Sequence, residues 1–136
     1  MRFALKCALA KRGAVFHLPR VEFKDTTKGK YCVLMEDYID GAETLIVVFT
    51  THRTEFDYQQ SSVLVDDGAI DGIKGDTLIQ CENWKEIPIE KLLSDDKVAF
   101  IDRLSPEIMA RVDDALTYAT RMDEAILFRV LPQEDH

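Results

Sequence analysis

A chain of 136 residues with 46% hydrophobic content is long enough for one domain with its own core, and its composition is neither fibrous nor disordered. No stretch approaches the roughly 18 to 20 uninterrupted apolar residues of a membrane helix, which removes membrane-spanning helical functions from consideration. A net charge of −8 argues against a general polyanion binder, because phosphate contacts need local cations and the rest of the field repels nucleic acid.

The charge is unevenly spread. Residues 1–30 hold Arg2, Lys6, Lys11, Arg12, Arg20, Lys24, Lys28 and Lys30 against Glu22 and Asp25, a local +6, so the remainder carries −14. This basic strip either tracks a phosphate backbone or solvates a helix and a loop. Lys6 splits the first apolar run and Lys11 and Arg12 follow it, so residues 1–12 read as a short helical extension rather than a secretion leader. Gly13 then opens an apolar piece at 14–18, broken by Pro19 and continued at 21–23, which predicts a first strand. Polar residues 24–30 with Gly29 predict a loop, 31–35 a second strand, and Asp40-Gly41 a turn.

The run from Leu45 to Phe49 is too short for a globular helix and rich in β-branched residues, so it predicts a buried third strand. It turns polar at once. Thr50 and His52, two apart, share a face of that strand at its rim, with Arg53 beside them. Further strands are predicted at 63–65 and 77–81, separated by turn signals at Gly68, Gly72 and Gly75. Short strands at this spacing point to a small antiparallel barrel or sandwich rather than parallel βαβ units.

After residue 104 the pattern becomes helical. Ser105 can cap, Pro106 suits the first turn, Glu107 complements the dipole, and Leu104 can staple onto Met109. Ile108, Met109, Val112, Ala115, Leu116 and Ala119 recur on one stripe, while Arg111, Asp113 and Asp114 face water. The last apolar segment, 125–131, is expected to add a strand or a tail on a partner. Cys7, Cys32 and Cys81 are odd in number and outside any CxxC spacing, so they read as reduced thiols in a cytoplasmic protein. With His17, His52 and His136 they form no set with metal-ligand spacing, and neither a metal nor a cofactor is expected.

The order of these pieces is similar to the MazF/PemK family of toxins. The residues that carry the resemblance are Thr44 to Arg53, Asp76 to Ile87, Lys91-Leu92 and Leu104 to Leu116, and it covers roughly residues 13–120. It implies an α+β, mainly β, single domain: a small SH3-like antiparallel barrel at 13–90 with an appended closing helix at 105–121. It also implies a homodimer that cleaves single-stranded RNA without a metal and is restrained by a cognate antitoxin peptide. The family's catalytic threonine matches Thr50. Its catalytic arginine, usually followed by proline, falls at Lys30-Tyr31, which keeps the charge but loses the planar fork that grips phosphate. Where members carry Gln and, two residues later, Arg, this chain has Asn83 and Lys85.

RNA brings its own nucleophile, the 2′-hydroxyl, so such an enzyme aligns it, moves protons and offsets charge. On this reading the expected catalytic residues are Lys30, Thr50 and His52, the last as a proton carrier on its spacing alone. Lys28, Arg53, Asn83 and Lys85 are the expected RNA-binding residues, with Arg20 and Lys24 as further phosphate contacts. His17 reads as core-facing, though it could join the site from the first strand. Trp84 reads as a core anchor or a base-stacking platform. Buried Cys32 and Cys81 are not expected to be nucleophiles, and Ser61-Ser62 lack a nucleophile-elbow context. The competing expectation is a toxin-like barrel without catalysis, serving as an interaction module for protein or RNA.

Overall fold

The computed structural model describes residues 2–19, 30–52 and 59–132. In chain order these form α1 (Phe3–Leu9), β1 (Ala14–Leu18), β2 (Lys30–Leu34), β3 (Thr44–His52), β4 (Ser62–Val65), β5 (Thr77–Pro88), α2 (Ile89–Leu92), β6 (Ala99–Arg103), α3 (Pro106–Leu116) and α4 (Glu124–Val130). The expected strand piece at 21–23 and most of the predicted loop at 24–30 lie outside the described residues.

All six strands join one curled antiparallel sheet in the order β4-β5-β3-β2-β1-β6. β3 sits at its centre, which explains why residues 45–49 are apolar without alternation: both faces are covered. On one face Val15, Val33, Val48, Ile79 and Val63 meet Val112, Leu116 and Val130 from the helices. On the other, Phe16, Cys32, Val47 and Phe49 meet Ala10, Leu92, Leu93 and Val98. β4 and β6 form the two edges and share no ladder. The turn between β4 and β5 bridges them: the Asp71 N–H donates to Asp102 Oδ2 at 2.9 Å. Hence the sheet is a half-barrel closed by a turn, within the expected small SH3-like class.

Three features depart from the sequence reading. β6 adds a strand beyond residue 90 by pairing with β1; its part-exposed residues carry no alternation from which a strand could be read. The segment at 125–131 is neither strand nor tail but helix α4, because Asp123 caps the Ile126 N–H and Ile126, Leu127, Val130 and Leu131 fall on one helical stripe against the core. The closing helix stops at Leu116, where the Thr117 hydroxyl turns back to the Asp114 carbonyl at 2.6 Å.

Arg12 ties the pieces together. Its Nε donates to the carbonyls of Met35 at 3.1 Å and Val130 at 3.0 Å, and its Nη2 pairs with Asp113. Asp113 is therefore held by Arg12 rather than left to water. Next to it, Gly13 has φ of +92°, and a Cβ there would lie 3.2 Å from the Met109 side chain, so the chain turns where only glycine fits.

Candidate functional site at the open end of the sheet

Pairing fixes which side chains meet. The register aligns Val15 with Val33 and Val33 with Val48, all buried. Two residues nearer the strand ends, His17 pairs with Tyr31 and Thr50 with Ile79. The Thr50 hydroxyl reaches the Tyr31 carbonyl at 3.4 Å, which places β2 and β3 side by side at this level. Directly paired residues share a face, so His17, Tyr31 and Thr50 form a polar row immediately after an apolar one. With strands about 4.8 Å apart, the row spans roughly 10 Å, the scale of one or two nucleotides.

Within the row the His17 and Tyr31 rings meet edge-on, centroids 4.9 Å apart. Thr50 is only 8% exposed, and its single described hydrogen bond is near the outer limit of length, so its hydroxyl can turn to a ligand at little cost. His52 lies two residues on, on the same face, exposed and paired with Thr77. His17 is half-buried rather than a core histidine. Its neighbours follow from strand register, which composition alone does not reveal.

Lys30 is placed elsewhere. It follows the opposite parity of β2, pairs with Leu18, and carries its ammonium 5.7 Å from the centre of the Phe49 ring on the second face. Thr50 and Lys30 therefore occupy opposite faces of the sheet. Lys85, opposite Val47, is exposed on the same side as Lys30. Asn83 sits in a bulge of β5: Val48 pairs with Trp84 but Phe49 with Gln80, leaving Cys81, Glu82 and Asn83 between registers. Lys28, Arg53, Arg20 and Lys24 lie outside the described residues.

Trp84 and the two buried cysteines have structural tasks. Trp84 packs on the core and its Nε1 donates to the Arg121 carbonyl at 3.2 Å. Burial pushes the thiols of Cys32 and Cys81 up to about 12, far from a nucleophile's range. Among the described residues no helix is long and apolar enough to cross a membrane, and no group of three His, Cys, Asp or Glu is arranged to hold a metal ion.

The architecture defines an SH3-like half-barrel with helices on both faces. Its fold is that of the MazF toxins, as solved structures show. An endoribonuclease in complex with its cognate antitoxin, from Mycobacterial species, superposes with a TM-score of 0.60 at 14% identity, over 83% of this chain and 96% of that one. The Mycobacterium tuberculosis toxin MazF-mt6 gives 0.58 at 16% identity, over 82% and 99%. A further endoribonuclease from Mycobacterial species gives 0.57 at 14% identity, over 81% and 89%. Neither a protein-family model nor a curated protein sequence matches the chain.

Proposed function

We propose that this chain is an endoribonuclease toxin that cleaves single-stranded RNA without a metal, works as a cytoplasmic homodimer and is restrained by a cognate antitoxin. The observation that carries the reading is the row His17, Tyr31, Thr50, with His52 beside it, at the open end of a MazF-type sheet. Structures of that fold are described as endoribonucleases, one of them bound to its antitoxin.

The chemistry needs little more than this row. One imidazole takes the proton of a 2′-hydroxyl, whose oxygen attacks the adjacent phosphorus. The 2′-O–P bond forms and the P–O5′ bond breaks, and the second imidazole, protonated, gives its proton to the departing 5′-oxygen. The products are a 2′,3′-cyclic phosphate and a 5′-hydroxyl. The Thr50 hydroxyl donates to a non-bridging oxygen as charge develops there. His17 and His52 are the proton carriers on this reading, since both lie on the face that Thr50 occupies. The nucleophile is supplied by the substrate, so the cycle closes without a metal ion.

The test is cleavage of a single-stranded RNA pool in the presence of EDTA. Thr50→Ala is expected to lower kcat by about 10²-fold, as for loss of one transition-state donor. His17→Asn and His52→Asn are each expected to lower kcat by about 10²-fold or more, as for loss of a general acid or base. Absence of cleavage at enzyme excess across the pool would overturn the activity. Full activity in Thr50→Ala would overturn the site alone.

A second reading is favoured by one observation, the placement of Lys30 against Phe49 rather than beside Thr50. With no lysine or arginine at the row among the described residues, the barrel on this reading acts as an interaction module that binds without cutting. Its mark is a partner complex that survives both Thr50→Ala and Lys30→Ala in a protein with no cleavage activity.

A further inference from the structure

The β5 bulge opens a cleft of about 610 Å³, of whose lining only Asn83 figures in the cleavage reading. Its lining is almost wholly polar: the amides of Gln59, Gln80 and Asn83, the Ser62 hydroxyl, the Glu82 carboxylate and the Thr120-Arg121 corner. Its volume falls within the range of small-ligand sites. The corner is fixed in place, because Glu82 accepts from the Arg121 N–H at 2.9 Å and the Thr120 hydroxyl at 2.7 Å, while Trp84 holds the Arg121 carbonyl. The carboxamides of Gln80 and Asn83, by contrast, make no side-chain hydrogen bond among the described residues.

We propose that this cleft is a subsite for an unpaired guanine base of the RNA. Glu82 accepts the Thr120 hydroxyl on one oxygen and the Arg121 N–H on the other, with the Thr120 N–H also acting on the group, and the lone-pair capacity left on the carboxylate matches the N1–H or N2–H₂ donors of guanine. The neighbouring carboxamides supply donors for O6 and N7, the atoms that adenine and the pyrimidines present differently. A phosphate is disfavoured in the same space. Glu82 is held ionised, because the hydrogen bonds from Arg121 and Thr120 outweigh the burial that would raise its pKa, and its charge offsets that of Arg121. Along the strands the cleft lies at the same level as the cleavage row, with Gln80, paired with Phe49, following the face opposite Thr50.

This proposal rests on the RNA-cleaving reading for its biological role, but its test does not. The full-length protein is titrated with GMP, AMP, CMP and UMP while the side-chain NH₂ signals of Gln80 and Asn83 are followed by NMR. GMP alone is expected to shift both, with an affinity lowered roughly tenfold in Asn83→Ala and in Gln80→Ala, the order expected when one hydrogen-bond partner is removed. Equal shifts by all four nucleotides, or unchanged GMP affinity in the variants, would overturn it. So would displacement of the same signals by N-acetyl-arginine amide with GMP inert, which would assign Glu82 to an arginine of a protein partner. Sequencing the ends of a cleaved RNA pool separates the two ideas. A G at fixed distance from the cut, lost in Gln80→Ala with cleavage retained, supports the subsite. Cleavage with no such preference overturns it and leaves the activity standing. GMP binding without cleavage leaves the subsite and sinks the activity.

Discussion

Cys32 and Cys81 show how one residue type can be read early and still gain from structure. Both lie in strands and both thiols point into the two cores, where burial raises them to about 12. At pH 8 that leaves a thiolate fraction of about 10⁻⁴, too small for ready alkylation. A thiol reagent is therefore expected to label only the half-buried Cys7 in the native protein, and all three after denaturation, as mass spectrometry would show. Rapid native labelling of Cys81 would contradict the packing around the β5 bulge. The change to polar residues at Thr50 was likewise legible, though β3 runs on to His52 and leaves Thr50 only 8% exposed. The position of Lys30 was not. Whether two residues on neighbouring strands share a face depends on register, and register between β2 and β3 is set by the turn at 35–43, whose geometry the sequence leaves open. His17 shares this history: its row with Tyr31 and Thr50 exists only once three strands are aligned.

At the scale of elements, the strong signals were those with local chemistry. α3 begins where Ser105 and Pro106 place it, and the Ser105 hydroxyl accepts from the Ile108 N–H at 3.2 Å. α4 carries comparable signals, an Asp123 cap, Glu124 in its first turn and Arg129 in its last, yet its apolar content at 125–131 also suits a strand. β6 has no such local mark and exists because β1 offers it an edge. These elements converge on Arg12, whose guanidinium joins the end of β2, the end of α4 and Asp113 of α3. Arg12→Ala is expected to cost about 2 to 3 kcal/mol by urea denaturation, the order for losing charged hydrogen bonds. Arg12→Lys is expected to recover little of it, because one ammonium cannot reach three acceptors in a plane. Recovery of full stability by lysine would show that charge alone, not the fork, is what matters there.

Across the whole molecule, the acidic surplus is partly committed to holding the sheet to its C-terminal helices. Glu86 is held below its ordinary value of 4.5 by hydrogen bonds from the Thr44 hydroxyl and the Arg129 guanidinium, and Arg129 also pairs with Glu36. In Glu82 burial pushes upward, but the bonds from Arg121 and Thr120 prevail and lower it. A carboxyl whose folded pKa is depressed binds fewer protons folded than unfolded near its midpoint. Its contribution is therefore complete above about pH 5 and fades as pH falls through the folded value. The melting temperature is expected to be flat from pH 7 to 5 on account of these groups and to drop below that, less steeply in Glu86→Gln. A variant that keeps the wild-type slope would remove Glu86 from this role.

The half-barrel also has a clasp. β3 is stitched to β5 along nine paired positions, while the two rims of the sheet are linked through Asp71 and Asp102. Parting the rims would break that bond and the one from Arg111 to the Leu64 carbonyl and unpack Ile70 and Ile73, but would leave every ladder intact. The girth of the barrel is thus set by side chains and a turn rather than by strand pairing. A guest wedged between the rims would widen the cylinder as a key ring yields to a key, with the central strands unmoved.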